Sequence, residues 1–161
     1  MILVTLRTQD KQFVRLLEAI QKQIDNGKIK DKVIVQAGYT EFKSSQMEIH
    51  KLLPMNEFNK LIKDCDLLIT HGGEGCIITG LKENKKVIAA ARLRKFGEHT
   101  NDHQTQIIDA FVKSGHILEL SDFNKLDEVL IKAEKFQPKK FVSNTSNMIA
   151  LVKKIIDNDC K

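Results

Sequence analysis

Tryptophan is absent from these 161 residues, tyrosine occurs once and proline only twice. With 42% hydrophobic and 29% charged residues beside so little proline, neither disorder nor a low-complexity class fits the chain. Long apolar runs are also lacking, so no segment has the length to cross a bilayer. The opening Met1-Ile2-Leu3-Val4-Thr5-Leu6 is too short for a signal peptide and lacks a basic leader. It reads as a first strand, and a cytoplasmic protein is expected. Three cysteines, Cys65, Cys76 and Cys160, are odd in number and form no CxxC pair, which argues against a disulfide framework and a zinc site.

The net charge is +5. Such a surface suits nucleic acid, anionic lipid or a phosphorylated small molecule. The lysines are scattered and few aromatics lie among them, so a solvated surface is the default and no nucleic-acid partner is expected.

Short apolar runs alternate with amphipathic ones, the pattern of βαβ units. The expectation is one domain over 1–161, α/β and doubly wound, with a mainly parallel sheet. Strands are read at 1–5, 32–36, 48–53, 66–70, 87–91 and 116–120. The first helix follows a cap at Asp10 and closes at Asn26-Gly27; others span 54–63, 77–83 and 102–113, and Ser121 is read as the cap of a further one. A last amphipathic helix is expected at about 144–158, either folded back on the domain or free to dock.

In open α/β sheets ligands bind beyond the carboxyl ends of the strands, where strand order reverses. Three candidate loops hold most of the unusual polar residues: 5–9, 71–76 and 92–104. In His71-Gly72-Gly73-Glu74-Gly75-Cys76, absent β-carbons let a ligand approach the backbone, and a following helix start suits a diphosphate. A side chain at Gly73 is expected to occupy that approach. The other reading is a tight turn and no more. The loop is neither a P-loop nor a dinucleotide fingerprint, because GxxxxGK[ST] is absent and Ile78 stands where the third glycine belongs. His71 is open to three roles: base, diphosphate ligand or buried wall. Arg92, Arg94 and Lys95 offer cations for phosphate or for a partner's acidic surface.

The second cluster is Gly97-Glu98-His99-Thr100-Asn101-Asp102-His103-Gln104. Donors and acceptors at this density suit a sugar ring; the other reading, a helix cap at Thr100, Asn101 or Asp102, explains one of these residues and not five. His99 and His103 are four apart, but the glutamate of HExxH and a third ligand are missing, so no metal is assigned.

Taken together, Met1–Thr5 with Thr8-Gln9, then Thr70-His71-Gly72-Gly73-Glu74-Gly75, then Lys95–His99 and Asp102-His103-Gln104 resemble the family 28 glycosyltransferase C-terminal domain. The likeness is to the short form of bacterial capsule and exopolysaccharide synthesis, whose eukaryotic relative is the small catalytic subunit of the dolichol-linked N-acetylglucosaminyltransferase. The resemblance implies a Rossmann-like GT-B half-domain holding a UDP-sugar donor without metal or other cofactor. It implies that His71, Gly72, Gly73, Glu74, Gly75 and Cys76 serve the diphosphate. Glu98, His99, Asp102, His103 and Gln104 then contact the donor sugar, while Thr8 and Gln9 face the cleft between two halves. A membrane-associated partner subunit supplies the second half and the lipid-linked sugar acceptor, recruiting the chain to the inner face of the membrane. The implied reaction is hexosyl transfer.

Arg7 stands where the family commonly has glycine, Cys76 where serine is usual, and Thr79 where related enzymes place a ribose-binding glutamate. Asn84-Lys85-Lys86 replaces the usual Gly-Lys-Pro turn. These departures favour an alternative, a regulatory or scaffold subunit that keeps the fold. The general base is unassigned, with Glu98, His99 and His71 as candidates beside the partner.

Overall fold

Every strand of the sheet runs parallel to its neighbours, in the order β3-β2-β1-β4-β5-β6. The computed structural model describes residues 1–6, 11–99 and 101–141. Its strands are β1 (Ile2–Thr5), β2 (Val33–Gln36), β3 (Met47–His50), β4 (Leu67–His71), β5 (Lys86–Ala90) and β6 (Leu118–Glu119). Its helices are α1 (Val14–Asp25), α2 (Met55–Asp64), α3 (Glu74–Lys82), α4 (His103–Lys113) and α5 (Leu126–Lys135).

The central strands are apolar on both faces because both faces are covered. On one side Val4, Ile69 and Ile88 meet Leu16, Leu17 and Ile20 of α1 and Leu126 and Val129 of α5. On the other, Leu3, Leu68 and Val87 meet Ile62 of α2, Ile77 and Leu81 of α3, and Ile107, Ile108 and Phe111 of α4. A β-carbon at Gly80 would lie 2.6 Å from Leu68 Cδ2 and 3.0 Å from Val87 Cγ2. Glycine there lets α3 lie close on the sheet, which holds its first turn beside the ends of β1 and β4. Strand order reverses between those two strands, so the topological switch point lies at Thr5 and His71.

Several local expectations are revised. The helix after the glycines begins at Glu74, not Ile77, so Gly75 and Cys76 belong to its first turn. Asp122, rather than Ser121, caps the last helical region: its carboxylate accepts from the Asn124 amide at 3.0 Å, starting a 3-10 turn that runs into α5. Asp10 and the segment around 144–158 lie outside the described residues. Among the described residues no helix is long and apolar enough to cross a membrane.

Candidate active site at the switch point

His71 ends β4 with its side chain fully buried. Gln104, one residue into α4, organises everything around it. Its carboxamide oxygen accepts from the backbone amides of Gly72 and Arg92, each at 3.0 Å. Its nitrogen must then donate, and it lies 3.1 Å from His71 Nδ1. That ring nitrogen is therefore an acceptor, which puts the proton of a neutral His71 on Nε2. One side chain thus ties the ends of β4 and β5 to α4 and sets the histidine tautomer.

The imidazole ring fills the space above Gly73. A β-carbon there would stand 2.3 Å from His71 Cε1, and one at Gly72 would stand 2.7 Å from Gln104 Cβ. Both glycines are therefore demanded by the protein's own packing. That requirement holds independently of any ligand at the loop. Gly75, by contrast, is exposed. The α3 turn has no side-chain cap at its N-cap residue, Gly73.

Arg92 and Glu98 are also placed differently from expectation. The Arg92 guanidinium is wholly buried over the Phe13 ring and donates to the carbonyls of Leu6, of Lys11 at 2.9 Å and of Glu98 at 3.3 Å. Burial lowers its pKa to about 10, opposed by the charges of Glu98 and Cys76, so it stays protonated at neutral pH. It staples the loop after β1 to the loop after β5 and presents no face to a phosphate. Glu98 is only 4% exposed. Its Oε2 accepts from Arg15 Nε at 3.0 Å, and its Oε1 accepts from Arg15 Nη2 at 2.9 Å and from the Leu93 amide at 3.0 Å. Gly97, in the left-handed region at φ 68°, turns the chain so that Glu98 points inward. The Arg15 guanidinium also lies over the rings of Phe123 and Phe96, 3.8 and 4.5 Å from their centres.

Asp102, at the N-cap of α4, is exposed and its carboxylate accepts from the Arg94 amide at 2.8 Å, while Asn101 Oδ1 accepts from the His103 amide at 3.0 Å just ahead of the helix. His99 and His103 are half-buried. Glu74 lies in the first turn of α3. Thr8 and Gln9 lie outside the described residues. Among the described residues no three His, Cys, Asp or Glu side chains gather as a metal site.

A cleft of about 390 Å³ opens at the same end of the sheet. Thr5 and Gln36 form its floor, Leu52, Leu53, Met55 and Phe58 one wall, and Gly75, Cys76 and Thr79 of α3 the other. No charged side chain borders it among the described residues, so the positive potential on offer there is that of the helix start. Its apolar wall escaped sequence reasoning. The signal was Leu52-Leu53-Pro54-Met55, an apolar run at a strand-to-helix loop where polar residues are the rule.

The sequence model of the "Glycosyltransferase family 28 C-terminal domain" matches residues 1–158. The chain belongs to glycosyltransferase family 28. A curated relative of this family 28 chain is the UDP-N-acetylglucosamine transferase subunit ALG13 of Candida albicans, 27% identical over 112 residues. The match covers 70% of this chain and 36% of that protein, so the chain spans about a third of its relative's length. An NMR solution structure of ALG13 shares the fold with a TM-score of 0.59 at 17% identity, covering 94% of each chain. The glycotransferase of kitacinnamycin matches with a TM-score of 0.59 at 14% identity, over 98% of this chain and 38% of that one. The fold of this family 28 domain is thus a Rossmann-like half of the GT-B type.

Proposed function

We propose that the chain binds a UDP-sugar and, with a membrane-associated partner carrying the other half of the active site, transfers its hexose to a polyprenyl-diphosphate-linked sugar in capsule or exopolysaccharide synthesis. Family membership and the likeness to ALG13 support a transferase subunit. The observation that carries the donor reading is the cleft at the switch point. It has an apolar wall suited to a base and a helix start suited to a diphosphate.

Charge grows on the diphosphate as it leaves. Fixed amide donors and the dipole of α3 favour that charge more than the ground state, which is the requirement for catalysis. The acceptor hydroxyl must lose a proton. Glu98 has both oxygens engaged by Arg15 and Leu93, and His71 Nδ1 faces Gln104. His99, half-buried on the same loop, accepts at Nδ1 from the Asn101 amide at 3.3 Å, so each candidate base of this chain is engaged and a group of the partner is the remaining source.

The same commitment of Glu98 and His71 favours a second reading, a regulatory subunit that retains the fold. Calorimetric titration of UDP and UDP-hexoses into the chain tests donor binding, and radiolabel transfer to a lipid-linked acceptor with the partner present tests catalysis. Binding without transfer supports the regulatory reading; no binding in either arrangement overturns the donor reading.

A further inference from the structure

At the carboxyl end of the sheet, Gln36 of β2, Thr5 of β1 and Thr70 of β4 lie side by side in register. Two residues earlier, on the same face, the corresponding positions are Ile34, Leu3 and Leu68, packed in the core beneath α2, α3 and α4. An apolar face thus ends in a polar row. Gln36 is satisfied, since its Oε1 accepts from the Leu53 amide at 3.0 Å and fixes the start of the cleft's apolar wall. Thr5 and Thr70 are different. Both are 0% exposed, and neither hydroxyl has a hydrogen-bond partner.

A buried hydroxyl without a partner is unfavourable, whereas valine has the same shape and an equal liking for strands. Retaining threonine here opposes stability, and an unpaired buried group of this kind is completed by an ordered water or a ligand, or belongs to a functional site. Thr5 also borders the cleft, as Thr70 does not. Its strand lies between β2, whose Gln36 holds the Leu53 amide of the apolar wall, and β4, which leads into α3. In a nucleoside diphosphate the group between base and phosphates is the ribose, whose hydroxyls both donate and accept.

We propose that the Thr5 hydroxyl is a binding group for the ribose of the nucleotide donor, a role resting on the donor reading above. Thr70 lies behind it and does not touch the nucleotide. Thr5→Val, Thr5→Ser and Thr70→Val separate the parts, with UDP affinity measured by calorimetry and melting temperature measured without ligand. Thr5→Val melts higher than the wild type and binds UDP about ten-fold more weakly, the effect of one lost hydrogen bond to a buried partner. Thr5→Ser keeps the hydroxyl and holds UDP within about three-fold of wild type, because only a methyl contact is lost. Thr70→Val melts higher and leaves UDP affinity unchanged. Undiminished affinity in Thr5→Val, or a lower melting temperature in that variant, overturns the assignment. A wild-type chain that fails to bind UDP removes the donor reading itself, and this role with it.

Discussion

The carboxamide of Gln104 joins the Nδ1 atom of His71 to the backbone amides of Gly72 and Arg92. A residue inferred from sequence to touch the donor sugar is instead the strut that holds two strand ends in place. Its removal is expected to shift the loop 71–76 as a whole.

Gln104→Ala is therefore expected to act on stability first. It leaves two backbone amides and a ring nitrogen without their partner, at a cost of about 2–4 kcal/mol. Urea denaturation monitored by circular dichroism measures this as a lower midpoint with an unchanged slope. A loss below about 0.5 kcal/mol, the scale of an ordinary surface change, contradicts the strut.

Gly73 has φ −73° and ψ 129°, a conformation open to any residue, so its constraint is steric alone. Gly73→Ala drives a methyl into the His71 ring and is expected to cost about 1–3 kcal/mol. In a His71→Ala background the same substitution has room and costs little. The double-mutant cycle reads that difference directly, and additive effects rule out the contact.

Arg15 and Glu98 form a two-pronged ion pair whose side chains are 25% and 5% exposed. Arg15→Met strands a buried carboxylate and is expected to cost about 2–4 kcal/mol, the partial exposure of Arg15 moderating the figure for fully buried pairs. Adding Glu98→Gln removes the stranded charge, so the double variant is expected to be more stable than Arg15→Met alone. Thermal unfolding of the three proteins at neutral pH checks the order.

His116 is buried edge-on to Phe141, and its pKa is lowered by burial first and by Lys139 second. The unfolded chain takes up a proton on this histidine as pH falls through about 6.5, while the folded chain resists it. Stability contributed by the neutral ring is thus full above that pH and declines below it. Melting temperature is expected to fall between pH 7.5 and pH 5.5, and more steeply in the wild type than in His116→Gln. Equal slopes in the two proteins dismiss His116 as the cause.

Much of the architecture was legible in the residues. Alternating apolar and amphipathic runs determined the order of strands and helices, because a parallel sheet covered on both faces needs that pattern. Left-handed positions also followed from residue type: Gly27, Asn84 and Gly115 have φ 73°, 57° and 81°. The switch point, and with it the loops around Thr5 and His71, came from topology alone.

Only the tertiary structure decided which polar side chains of those loops are turned into the protein. Arg92, Glu98 and Gln104 look like surface donors when read along the chain, yet all three are buried. Their partners lie far away in sequence: Gln104 meets His71 across 33 residues, Arg15 meets Glu98 across 83, and Arg92 reaches the Leu6 carbonyl across 86. Local pattern records a residue's polarity, but its orientation is set by hydrogen bonds to strands that only folding brings alongside. The Thr5–Thr70 row was hidden for the same reason, since residues 65 apart become neighbours only through strand register.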